Sequence, residues 1–278
     1  MKTNYLLILA ALILVFVACG AGSKQSTDME KRTLVKIETT LGDIVVELYN
    51  ETPKHRDNFI KLVKEGLYDS TLFHRVIKDF MIQAGDPESK TASDTATLGG
   101  GDVGYTVPAE FLPELYHKRG SLAAARLGDD VNPERASSGC QFYIVTGRKF
   151  REGQLLEMAG KRNNERMGEI FNGLIRKHRE EILELRKARK HLALSDLQDS
   201  LRAEATAIKK AEGNFMYTPE QIETYTKIGG TPHLDGAYTV FGQVIDGMKT
   251  VEKIEGKSTG PADRPKKDIR ILKATVLE

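Results

Sequence analysis

The apolar positions of this chain change period twice. Val35, Ile37 and Thr39, then Ile44, Val46 and Leu48, alternate with polar residues on either side of Leu41-Gly42-Asp43. Two period-two runs about a Gly-Asp turn predict a β-hairpin. Thr52-Pro53 follows, placing Thr at an N-cap and Pro at the first helical position, so a helix is predicted through Phe59, Leu62 and Val63 to Gly66. Short strands are predicted at 72–76, 81–84, 142–145, 240–244 and 270–277, with Gly and Pro between them. Many short strands and few helices point to a closed or nearly closed antiparallel β architecture.

From residue 151 to about 228 the period becomes three to four. Met167, Ile170, Phe171, Leu174, Ile175, His178, Ile182 and Leu185 predict one amphipathic helix, and Leu194, Leu197, Leu201, Ala205 and Ile208 a second. Thr218-Pro219-Glu220-Gln221 carries the N-cap and capping-box residues of a third. This block reads as a helical insertion, 151–228, within a β-rich body at 33–150 and 229–278.

The first residues are different again. Leu6 to Ala18 is an uninterrupted apolar run, shorter than the roughly 20 residues that span a bilayer, so it reads as the core of an export signal. Ala18-Cys19 resembles a bacterial lipoprotein lipobox, which implies that Cys19 is the lipidated first residue of the mature protein. Residues 20–32 are small and polar and read as a flexible tether. The expectation is an exported protein of a bacterial cell envelope, held to a membrane by its N-terminus and facing the periplasm or exterior.

Composition narrows the chemistry. At 278 residues the chain is one large domain or two modest ones. Its 41 Lys and Arg nearly cancel 39 Asp and Glu, so nothing global points to nucleic acid. If Cys19 carries lipid, Cys140 has no partner; nothing cationic in SSGCQF would activate it, and a buried, inert thiol is expected. The basic stretch 176–190 reads either as a solvated helix face with i,i+4 ion pairs, such as Glu180 and Glu184 against Arg186 and Lys187, or as a surface for anionic lipid or a partner. Residues 99–104 satisfy G-x-G-x-x-G, but Pro108 just beyond opposes the helix that a dinucleotide site needs, so a glycine-permitted loop is expected. The six histidines lack metal-ligand spacing, and no nucleophile motif is present.

One short segment stands apart. Arg75 lies among Phe73, Val76, Ile77, Phe80, Met81 and Ile82, with Gln83 following. Taken alone, this is a salt bridge beside a strand. With Gly139 to Ile144 (GCQFYI), the intact LDGAYTVFG from Leu234 to Gly242, and YTVPAEF from Tyr105 to Phe111, the chain resembles the cyclophilin family of peptidyl-prolyl cis-trans isomerases. The resemblance covers roughly 33–148 and 229–278 and omits the helical block.

That resemblance implies a cyclophilin-like closed antiparallel eight-stranded barrel with capping helices, a groove on its outer face, no cofactor, and proline-containing polypeptides as substrates. It implies catalytic roles for Arg75, Phe80 and Gln83. Substrate contacts are implied for Met81, Ala125, Arg126, Gln141, Tyr143, His233, Leu234 and Tyr238, with the backbone near Ala125 and Arg126 holding the flanking peptide. His233 stands where many members have tryptophan, which tells against tight cyclosporin binding; Tyr238 in place of a histidine and Arg126 in place of an asparagine resemble the bacterial pattern and need not remove activity. A reading from another class is a non-catalytic polypeptide-binding module that uses the groove and the helical block.

Overall fold

The computed structural model describes residues 31–277. The export-signal, lipobox and Cys19 expectations, and the tether as far as residue 30, lie outside the described residues. From Arg32 onward the chain forms one compact unit. Arg32 belongs to it firmly: the guanidinium bonds Glu47 and Glu51 at 2.9 and 2.7 Å and lies over the Tyr49 ring.

In chain order the elements are β1 (Leu34–Thr39), β2 (Gly42–Leu48), α1 (Pro53–Lys64), β3 (Arg75–Ile77), β4 (Met81–Ala84), β5 (Thr106–Val107), β6 (Ser121–Ala124), β7 (Ser137–Ser138) and β8 (Phe142–Val145). The helical block follows as α2 (Glu152–Lys177), α3 (Arg179–Lys187), α4 (His191–Glu212) and α5 (Pro219–Lys227), and the chain ends with β9 (Val240–Asp246), α6 (Met248–Glu255) and β10 (Ile271–Leu277). Helices hold more residues than strands, because α2 to α5 outweigh the short ladders; the mainly β description is corrected to that extent.

Eight strands form one antiparallel sheet in the order β10-β1-β2-β9-β6-β8-β4-β3, and β5 pairs with β7 apart from it. The sheet curls into an open half-barrel and not the closed barrel expected. Its two edges meet at one isolated bridge, Leu72 with Arg270, supported by the bonds from Phe73 N to Ile269 O and from Ile271 N to Thr71 O. β3 is only three residues long, and Ser70, with φ +68°, turns the preceding chain out of strand conformation. No ladder can extend there.

Alternation along the strands fills both faces. Phe142 and Ile144 of β8 point into the curl, where Phe142 meets the Phe59 and Tyr68 rings edge-on at 5.4 and 5.3 Å. Tyr143 and Val145 point outward and pack with Met81, Ala123 and Val240. Four buried residues in a row make β6; without alternation, the sequence offers no strand period there.

Helix ends show how far local signals carry. Thr218 caps α5 as expected: its Oγ1 accepts from Gln221 N and Gln221 Oε1 accepts from Thr218 N. Thr52 occupies the cap position of α1, but its Oγ1 is buried without a partner. The Glu110 carboxylate, more than fifty residues away, accepts from Lys54 N and His55 N in its place. The single helix expected over 167–185 is two, because His178 leaves helical geometry (φ −96°, ψ 16°) while the apolar stripe runs on across the break. Antiparallel α2 and α4 share a small core of Ile170, Leu174, Leu201 and Ala205. A second cluster, Leu155, Ala159, Tyr217 and Tyr225, packs the block onto Tyr116 of the body. On the exposed basic face Lys187 bonds Glu184 at 2.8 Å, the solvated reading of that stretch.

Candidate active site

Register assembles the site. Arg75 of β3 pairs with Gln83 of β4, Gln83 with Tyr143 of β8, and Tyr143 with Ala123 of β6. Directly opposed residues share a face of the sheet, so three side chains spread over seventy residues form one row on its outside. A cavity of about 140 Å³ opens on that row, lined by Arg75, Phe80, Met81, Gln83, Ala125, Arg126, Tyr143, Leu234 and Tyr238. These are nine of the eleven groove residues expected. The other two adjoin it: His233 stacks on Phe80 at 5.5 Å between ring centres, and Gln141 bonds Gln83.

A hydrogen-bond relay orients the row. Buried Asp86 accepts from Gly99 N at 2.6 Å and Glu88 N at 2.8 Å, which shapes the glycine loop. A Cβ on Gly101 would lie 2.1 Å from Asp86 Oδ1, and Gly99 has φ +98°, so these two glycines of the loop answer a close approach and a left-handed turn. The carbonyls of Gly99 and Gly101 accept from Gln141 Nε2 at 3.0 and 2.8 Å. Gln83 Nε2 donates to Gln141 Oε1 at 3.0 Å, and Arg75 Nη1 donates to Gln83 Oε1 at 3.3 Å. Every amide orientation in this relay follows from the two carbonyls that end it. Gln141 therefore acts through Gln83.

Arg75 is half-exposed, and its Nε lies 3.7 Å from the equally exposed Asp263, a loose surface pair. Its Nη2 has no protein acceptor among the described residues, so one edge of the guanidinium remains for a ligand. Arg126 is the opposite case. Its side chain is 5% exposed, bonds Ala237 O, Leu127 O and Asp129, and lies flat over Tyr238 at 4.4 Å. It builds the wall. The expected backbone hold on a flanking peptide narrows to Arg126, because Ala125 N already donates to Gln141 O and Ala125 O accepts from Ser138 N.

Sequence reasoning missed the support beneath Tyr143. The Tyr143 hydroxyl meets His117 Nε2 at 3.0 Å, His117 Nδ1 meets Asp235 Oδ1 at 2.9 Å, and the Tyr225 hydroxyl donates to Asp235 Oδ2 at 2.6 Å. A carboxylate only accepts, so in neutral His117 the proton sits on Nδ1 and Nε2 accepts from Tyr143. Burial pushes the Tyr143 and Tyr225 hydroxyls well above their usual range, which keeps them donors. Asp235 belongs to the LDGAYTVFG element; His117 and Tyr225 carry no local signal. Cys140 is buried as expected, its thiol pushed up to about 11 by burial.

Three histidines make stability depend on pH. Burial pushes His55, His74 and His233 below their ordinary 6.5, outweighing the opposing Glu110 at His55, Asp86 at His74 and Asp235 at His233. The folded state then binds fewer protons than the unfolded chain below that value, so stability falls as pH drops through 6.5 toward the folded values. Denaturant midpoints measured between about pH 7.5 and 5.5 are expected to decline on the acid side; a flat profile would contradict the burial of these rings.

Comparison with known proteins agrees with this geometry. The family model for cyclophilin type peptidyl-prolyl cis-trans isomerase/CLD matches residues 34–169 and 208–276, so between its two matched parts it omits the middle of the helical block. A Staphylococcus aureus (strain USA300) protein assigned by name as a peptidyl-prolyl cis-trans isomerase is 31% identical over 248 residues, 88% of this chain and 91% of its own length. A Streptococcus pyogenes serotype M6 protein, assigned by name as a bifunctional phosphatase/peptidyl-prolyl cis-trans isomerase, is 31% identical over 249 residues. This chain spans 39% of the length of that streptococcal relative. Among solved structures, a Cryptosporidium parvum cyclophilin type peptidyl-prolyl cis-trans isomerase aligns with a TM-score of 0.53 at 22% identity, over 89% of this chain and 98% of its own, a likeness of fold. By the extent of the family match and the level of identity, the chain belongs to the cyclophilin-type peptidyl-prolyl cis-trans isomerases.

Proposed function

We propose that this enzyme accelerates X-Pro rotation in exported proteins at a bacterial cell envelope, with Arg75 as the group that stabilises the twisted amide. Rotation about a peptide bond meets a barrier of about 18–20 kcal/mol because the nitrogen lone pair is delocalised into the carbonyl. X-Pro bonds have nearly balanced isomers yet exchange only over tens to hundreds of seconds. A donor that bonds the proline nitrogen while it is pyramidal lowers the barrier from both sides, since neither planar ground state offers that lone pair.

The observation that carries the reading is the row Arg75, Gln83 and Tyr143 beside the apolar wall of Phe80, Met81 and Leu234. The wall suits a pyrrolidine ring. Gln83 sets the angle of the guanidinium, a planar fork of N–H donors. No covalent intermediate is required. A structure of the Cryptosporidium parvum cyclophilin, 21% identical and with a TM-score of 0.50, was obtained in the presence of the dipeptide Ala-Pro, and a proline-containing peptide is the ligand assigned to this pocket. The exported setting rests on the apolar run and Cys19 at the N-terminus.

The test is NMR exchange or a protease-coupled assay on short X-Pro peptides with the full chain. Catalysed exchange is expected; correctly folded protein that leaves the uncatalysed rate unchanged would refute the proposal.

A further inference from the structure

The prolyl pocket has a larger neighbour. A groove of about 790 Å³ runs between the facing parts of α2 and α4 and the segment 232–237. That segment serves both openings: Leu234 lines the pocket, and His233 and Gly236 line the groove. His233 also stacks on Phe80, so a polypeptide with its proline beside Phe80 is led past His233 toward the helices.

The groove is charged, and most of its charges are already matched. Arg166 bonds Glu169 and Glu212 at 3.0 and 2.8 Å, Lys161 lies 3.7 Å from Glu165, and Arg135 bonds Asp129. The Asp235 carboxylate is occupied by His117 and Tyr225. Arg162 is the exception. Its guanidinium carbon lies 3.9 Å from the centre of the Phe215 ring, and it makes no ion pair among the described residues. It reaches over Gly236, where an added Cβ would come 3.0 Å from Nη2. Buried Lys209 lines the same groove, donating to Gly213 O at 2.6 Å and Asn214 Oδ1 at 3.0 Å, and its charge also acts on nearby Glu212. Among the described residues Arg162 thus lines this groove with no carboxylate bonded to it.

We propose that Arg162, with Lys209, forms a carboxylate subsite that makes the enzyme prefer clients carrying an acidic residue a few positions from the proline. This rests on the isomerase reading of the adjoining pocket. A guanidinium stacked on an aromatic face keeps its N–H edge for a carboxylate and loses little freedom when one arrives.

The test uses the full chain and a series of single-proline peptides in which Glu or Gln is placed in turn at each position on either side of the proline. At one position Glu is expected to raise kcat/KM about three- to fivefold over Gln at low salt, the scale of a partly exposed ion pair. Added salt shrinks the preference. Arg162→Gln abolishes it, Arg162→Glu reverses it and Arg162→Lys retains part of it, while a short neutral peptide is turned over equally by all four proteins. A wild type indifferent to Glu at every position overturns the proposal, as does a preference that survives Arg162→Gln and Arg162→Glu. Failure on every peptide, the neutral one included, counts against the isomerase reading instead; fluorescence anisotropy of the same labelled peptides then decides the subsite by the same Glu and Arg162 comparisons.

Discussion

Replacing Arg75 with alanine is expected to lower kcat/KM for X-Pro isomerisation by about 10²–10³, the loss that follows removal of one preorganised donor from a developing charge. The argument is geometric. Gln83 holds Nη1 at 3.3 Å, and Gln83 is itself held through Gln141 by the Gly99 and Gly101 carbonyls, so the guanidinium is oriented before a substrate arrives. The same variant should leave stability within about 1 kcal/mol of the parent, because the only ion pair lost among the described residues is the half-exposed one to Asp263 at 3.7 Å. Measuring both quantities on one preparation separates catalysis from folding. Full activity in Arg75→Ala would show that the pocket works by another group, and a large stability loss would return Arg75 to the role of a strand-side salt bridge.

The largest effect on stability is expected at Phe142. Its ring is 1% exposed and meets Phe59 and Tyr68 edge-on. Phe142→Ala removes that volume from the middle of the curled sheet and should cost about 3–5 kcal/mol in denaturant unfolding. Activity should fall as well, in conditions where the variant is still folded. Gln141 precedes Phe142 and bonds Gln83, and Tyr143 follows it on β8 and lines the pocket, so a loosened strand misplaces both. A cost under about 1 kcal/mol would mean that the neighbouring rings close the cavity, contrary to the packing of rigid aromatics around it.

The two predictions concern the outer and inner faces of one sheet, and they differ in how readable they were. Period-two alternation already separates Phe142 and Ile144 from Gln141 and Tyr143. It does not say which side is solvent and which is core. The same limit explains β6, whose four residues are buried on both faces and so carry no alternation. It explains the barrel, where a three-residue edge strand and the left-handed Ser70 leave open what strand count alone would close. It explains α1, where a threonine with the right neighbours stands at the cap while Glu110 makes the bonds.

By itself the sequence determined the hairpin, the Thr218 cap, the helical periodicity of the inserted block and the loop character of the triple glycine, and its motifs named nine residues that line one cavity. Each of these is written in residues close together or in short motifs. Only the tertiary structure decided that Tyr143 rests on His117, Asp235 and Tyr225, which ties the helical block to the floor of the prolyl pocket. Only it left Arg162, among the described residues, without a bonded carboxylate beside that pocket. The reason is the reach of the signal: periodicity and caps are properties of one segment, whereas the partner of a buried hydroxyl or a lone guanidinium is whatever the fold brings to it, here across 118 positions between His117 and Asp235.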